Sequence, residues 1–198
     1  MGRLPVHDND HTMDTLVEST IQALNRHVEL CERAVTYPGR PRERMVALGE
    51  ADELFYRLHP HHYRALQVVR VASQLGKTTN PRRDMLRRCE SRTVALLTTV
   101  IQDALHAGDL KLTGSHQAAE LAFSIWALVF GTRALMNTAV ASVKLDIADG
   151  YQVAYDTAGL LFDALGWRPL AHEWDYQRTR QQIRQELFPD EWRQACAA

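Results

Sequence analysis

At 198 residues the chain is long enough for one domain with a substantial core. An apolar share of 45%, a charged share of 24% and a net charge of −1 exclude a strongly basic nucleic-acid binder and a disordered acidic chain. The three cysteines, Cys31, Cys89 and Cys196, are far apart and suggest neither a disulfide framework nor a zinc ribbon, which points to a reducing cytoplasmic setting.

Residues 1–13 are polar and acidic, lack the apolar core of a signal peptide and read as a disordered segment. A capping box, Thr15-x-x-Glu18, opens the first long helix. Along it Leu16, Thr20, Ala23, Leu24, His27, Val28, Cys31 and Val35 recur at helical spacing. Pro38-Gly39-Arg40-Pro41 stops it, and Pro41 suits the first turn of a second helix through Met45, Leu48, Leu54, Phe55 and Leu58. Pro60 starts a short third helix through Tyr63, Leu66, Val69 and Leu75, which Gly76 ends. Asn80-Pro81 caps and opens a fourth, running to about His106.

Two further helices, 115–141 and 146–165, are apolar over much of their circumference and so need cover on more than one side. A second copy of the chain is the simplest cover, with Ala119, Ala122, Ile125, Val129, Ala154, Ala158, Leu161 and Phe162 as the expected contacts; central helices of a monomeric bundle are the alternative. The most apolar stretch, 118–131, is shorter than a bilayer span and holds Glu120, so no membrane partner is expected. The segment 171–198 reads as a charged tail with one further helix at about 173–187, whose Trp174, Ile183, Leu187, Phe188 and Trp192 make a loose apolar stripe. The expected fold is all-α, an antiparallel bundle of about six to seven helices over 14–170.

Catalytic motifs are missing, and no cofactor is expected. Gly76-Lys77-Thr78 echoes the end of a phosphate loop without its preceding glycines or strand. Among nine histidines, His59, His61 and His62 are the densest group, and His27 with Cys31 or Asp103 with His106 are close pairs, none forming a complete metal set. A helical enzyme or metal-binding protein built on the His59 group, or a purely structural dimerisation module, are the competing readings. The arginine run at 82, 83, 87, 88 and 92, with Lys77, reads as a solvated face. Phe55, Tyr63, Phe123, Trp126 and Phe130 lie on helices that should converge, with Gln67, Thr98, Gln102 and Arg133 as polar anchors nearby. Such a set suits a pocket for a small apolar or amphipathic molecule, and a solid core would read the same.

Three stretches carry a resemblance. Asp103-Ala-Leu-His-Ala-Gly-Asp-Leu110, the run from Ala119 to Leu135 with its Phe-Ser-Ile-Trp and central Gly131, and Leu161-Phe-Asp-Ala-Leu-Gly-Trp-Arg-Pro-Leu170 follow one another as in the C-terminal ligand-binding and dimerisation domain of TetR-family transcriptional regulators. The chain resembles that domain over about residues 14–170. The resemblance implies an effector pocket among residues 42–106 and 116–130, a lever at 15–36, and a homodimer through 115–165. The family's helix-turn-helix has no counterpart before the first long helix, where about a dozen residues stand, with Asp8, Asp10 and Asp14 set against Arg3. A misplaced gene start, a truncation or a lost reader would each explain this. DNA contact is therefore expected only through a missing N-terminal domain or a full-length relative.

Overall fold

The computed structural model describes residues 7–74, 80–113, 117–136 and 147–197, and for 7–14, 63, 72–74 and 80 the backbone alone. The chain is all-α, with eight α-helices and no strand among the described residues. They are α1 (His7–Val35), α2 (Pro41–Leu58), α3 (Pro60–Gln74), α4 (Asn80–His106), α5 (Ala118–Met136), α6 (Gly150–Ala164), α7 (Tyr176–Gln182) and α8 (Pro189–Ala197), with a π-helical turn at Ile183–Leu187 between the last two.

Proline punctuation sets the starts of α2, α3 and α4 where the sequence puts them. α1 differs. It begins at His7, and the capping box at Thr15 lies inside it, because neither proline nor glycine interrupts the chain between Pro5 and Pro38. Residues 7–13 are thus helical, whereas the sequence suggested disorder. α2 starts on Pro41, with the Glu43 carboxylate accepting the Arg40 backbone N–H at 3.0 Å.

α2 is the axis of the molecule. Ala47, Ala51 and Leu54 are fully buried on it, and α1, α4, α7 and α8 all pack against it. Two glycines turn the chain back onto this core. Gly108, at φ 74°, ends α4, and the Asp109 and Leu110 N–H groups both return to the Ala104 carbonyl, burying Leu110. Gly166, at φ 66°, ends α6 in the same way, and the Trp167 N–H returns to the Phe162 carbonyl at 2.9 Å, burying the indole. Both use the left-handed conformation that glycine adopts without a Cβ penalty.

The segment after 170 is no loose tail. Ile183 and Phe188 are fully buried, Trp192 is nearly so, and all three belong to the main core. The guanidinium of Arg184 lies over the Trp192 ring at 3.9 Å. Charge made this segment look solvated, but Arg180 and Arg184 serve carboxylates of α2.

α5 corrects a second expectation. It is 19 residues long, and among the described residues it is the one helix long and apolar enough to cross a membrane by length and composition, with 22% of it buried. The apolar stretch continues past Gly131 to Met136, so it is not too short.

Candidate ligand cavity

α6 packs chiefly on α5, and between this pair and α2 lies a cavity of about 840 Å³. Met45 and Val46 of α2, Leu97 of α4, Ile125, Trp126 and Val129 of α5, and Ala154, Ala158 and Phe162 of α6 give it apolar walls. His27 and Cys31 bring α1 into the lining, and residues 171–177 form one end. The volume falls within the range of small-molecule sites.

Gly49 faces this space from mid-α2, where an added Cβ would meet nothing within 4 Å. Gly49→Ala is therefore expected to stabilise the chain by roughly 0.5–1 kcal/mol, since alanine loses less backbone entropy in a helix. Urea denaturation measures the gain; a loss of stability would mean that the space is filled.

Two charged networks border the cavity. In the first, the Asp52 carboxylate meets His27 Nε2 at 3.1 Å and pairs with Arg133 through its other oxygen, while Cys31 Sγ lies 3.5 Å from the same His27 nitrogen. Burial lowers Arg133 to about 10, which leaves it charged at neutral pH. In the second, Glu50 and Glu53 of α2 receive Arg180 of α7 and Arg184 of the π-helical turn. Burial acts to lower Arg180, but the two glutamates prevail and hold it above its ordinary value. Tyr155, whose ring lies 4.4 Å below the Arg180 guanidinium, is pushed up to about 12, mainly by burial, and keeps its proton.

The residues expected at a pocket divide. Trp126 is in the wall, and Arg133 reaches the lining carboxylate Asp52. Phe55 is a core residue behind the wall, its ring 4.7 Å from that of His27. Phe130 is half-buried, with the Arg70 guanidinium 5.1 Å above its ring. The Thr98 hydroxyl donates back to the Val94 carbonyl, Gln102 is exposed, and Gln67 is half-buried on α3. The Tyr63 side chain lies outside the described residues. Phe123 is turned away, 64% exposed on the outer side of α5.

The expected dimer contacts show the reverse. Ala122, Ile125, Ala154 and Phe162 are buried within the chain, and Val129, Ala158 and Leu161 are half-buried. Ile125, Val129, Ala154, Ala158 and Phe162 line the cavity, and only Ala119 is exposed. The outward face instead carries Phe123, Leu135, Val153 and Leu160, the last 72% exposed where it borders the cavity rim. Both helices are apolar all round, so composition did not fix which side points inward.

Sequence reasoning missed Glu50, Asp52 and Glu53. The available signal was three carboxylates set among Ala47, Leu48, Ala51, Leu54 and Phe55, which requires partners from elsewhere in the fold.

The metal reading gains no geometry. Among the described residues no group of three or more His, Cys, Asp or Glu side chains is placed to hold an ion. Asp103 pairs with Arg44 at 2.8 Å, and His61 is exposed. Gly76-Lys77-Thr78 lies outside the described residues. Arg92 pairs with Glu32, and Arg87 contacts Asp84 at 4.0 Å.

His59, packed on Phe55 and edge-on to His62, is held below its ordinary value by burial first and then by His62 and Arg26. The unfolded chain therefore binds this proton at a higher pH than the folded one. Stability is expected to fall as pH drops below about 6.5, levelling off once the folded-state pKa is passed. Urea titrations at pH 7.5 and 5.5 should show this dependence reduced in His59→Gln; an equal pH dependence in the variant would refute it.

No family model, no curated protein and no solved structure matches the chain.

Proposed function

We propose that the chain is a ligand-responsive homodimeric module of the TetR type, taking a small apolar or amphipathic effector into the cavity between α2 and α6. The cavity of about 840 Å³ carries this reading. Most of its exposed wall is apolar, and charged groups in the lining such as Arg42, Glu50, Asp52, Glu53 and Arg180 are engaged in ion pairs, a make-up that suits a small-molecule site. His27 and Cys31 put α1 in the lining. An effector thus touches the helix that the resemblance makes the lever, and shifts the population between two arrangements by its differential affinity. The outward apolar face of α5 and α6 supports a second copy as partner. Contact with DNA belongs to the proposal only through a reader supplied outside these residues or by a full-length relative.

A thermal-shift screen with neutral apolar compounds tests the reading. A ligand at a hundred times its Kd adds about 2.7 kcal/mol to stability by mass action, and a clear rise in Tm is expected for a subset of compounds. A flat response across compounds sized for the cavity would favour a purely structural module.

A further inference from the structure

We propose that the cavity selects uncharged aryl carbonyl compounds, with the Tyr155 hydroxyl as the donor to the carbonyl oxygen. The inference rests on the cavity admitting small molecules, and adds a ligand class and a specificity-determining residue to that reading.

Most polar side chains in the lining are already committed within the chain. Arg42 pairs with Asp163 at 2.6 Å and donates to the backbone carbonyls of Trp167, Pro169 and Gly159. Arg180 is held by Glu50 and Glu53, and Asp52 is shared between His27 and Arg133. The Tyr176 hydroxyl donates to the Pro169 carbonyl at 2.6 Å, and the Trp174 indole N–H donates to the Thr179 hydroxyl at 2.9 Å. Asp156 and Asp175 are exposed, the first accepting from the Gln152 amide and the second capping α7. A charged ligand entering this space would shed its hydration and find the counter-charges taken, so an uncharged one is favoured.

Tyr155 is different. It lines the cavity from α6 and is half-buried, yet its hydroxyl makes no hydrogen bond to a described residue. Its oxygen is not sealed among protein atoms either, so it opens on the cavity. The ring is held by the Arg180 guanidinium 4.4 Å away, itself locked by the two glutamates.

This environment makes the hydroxyl a donor. Burial keeps its proton in place at neutral pH. A phenol oxygen shares lone-pair density with its ring, and the cation over the ring draws off more, so the O–H donates better than the oxygen accepts. The matching ligand atom is an uncharged acceptor, for which a carbonyl oxygen is the usual choice on an otherwise apolar molecule. Trp126, Phe162 and Trp174 in the lining offer aromatic surface to the rings such a molecule carries.

The test is titration calorimetry on the full chain with benzophenone and with diphenylmethane, which has a methylene in place of the carbonyl. A purely apolar cavity favours the hydrocarbon, because the ketone gives up the hydration of its oxygen. Benzophenone is instead expected to bind the wild-type chain roughly fivefold tighter than diphenylmethane. Tyr155→Phe keeps the ring beside Arg180 and removes only the hydroxyl. In the folded variant benzophenone should weaken by roughly fivefold or more, while diphenylmethane stays within about twofold. Tighter or equal binding of diphenylmethane to the wild-type chain overturns the proposal and leaves the cavity reading standing, and this comparison decides even if the variant misfolds. A folded Tyr155→Phe that weakens both compounds alike, or neither, also overturns it. If neither compound binds the wild-type chain, the cavity reading falls with the proposal.

Discussion

Replacing Glu50 by alanine is expected to destabilise the chain by about 3–5 kcal/mol, the usual loss when one member of a buried ion pair is removed. Glu50 is nearly inaccessible and pairs with Arg180 and Arg184. Without it, Arg180 stays buried against Glu53, with half its countercharge gone. Arg184, about one-third exposed, turns to water at little cost. Arg184→Ala should therefore lose no more than about 1 kcal/mol. The loss in Glu50→Ala has a location as well as a size. α7, the π-helical turn and α8 are tied to α2 through this network, so Trp192 fluorescence should change before the far-ultraviolet helical signal as urea rises. An effect below about 1 kcal/mol would mean that the carboxylate is solvated and the C-terminal segment only loosely attached.

Leu160→Glu is expected to break the homodimer proposed above into monomers. The exposed side of α5 carries Phe123, Ala127 and Leu135, and that of α6 carries Val153, Thr157, Leu160 and Ala164. Exposed apolar side chains on two neighbouring helices suit the seam of a helical bundle. Two copies meeting on this face would form a four-helix bundle, and twofold symmetry would place each substitution there twice. Two unpaired carboxylates in a desolvated seam cost several kcal/mol, so the dimer Kd should rise by at least about a thousandfold. Light scattering at micromolar concentration reads this directly. A monomeric wild-type chain, or a dimeric variant, would remove the second copy from the account. Sedimentation of the wild-type chain with neutral lipid vesicles would instead assign the face to a bilayer, for which α5 has the length and apolar composition.

How far the sequence reveals the fold differs by region. The starts of α2, α3 and α4 follow from Pro41, Pro60 and Asn80-Pro81, because proline at a first turn is a local rule that tertiary packing seldom overrides. The two glycine turns, at 108 and 166, are equally local. The C-terminal helices were not legible, because Arg180 and Arg184 look like surface residues until the buried glutamates of α2 stand opposite them. Taken alone, each half of that network resembles a solvated face; the pairing exists only in three dimensions. The same holds for the cavity. Trp126 and Arg133 could be picked out as an aromatic and a cation on an apolar helix, but Asp52, which receives Arg133 beside the cavity, comes from α2. For α5 and α6 the sequence showed that two sides need cover, and left open which side faces the chain's own core.

The most direct test of the central claim is titration calorimetry with the neutral compound that raises Tm most, on the wild-type chain and on Gly49→Phe. Gly49 faces the cavity, and a side chain there starts in open space, so the phenyl ring should occupy the ligand's volume without unfolding α2. The cavity reading predicts saturable binding to the wild-type chain and at least roughly tenfold weaker binding to a folded Gly49→Phe. Equal affinity in the two proteins would place the ligand elsewhere and contradict it.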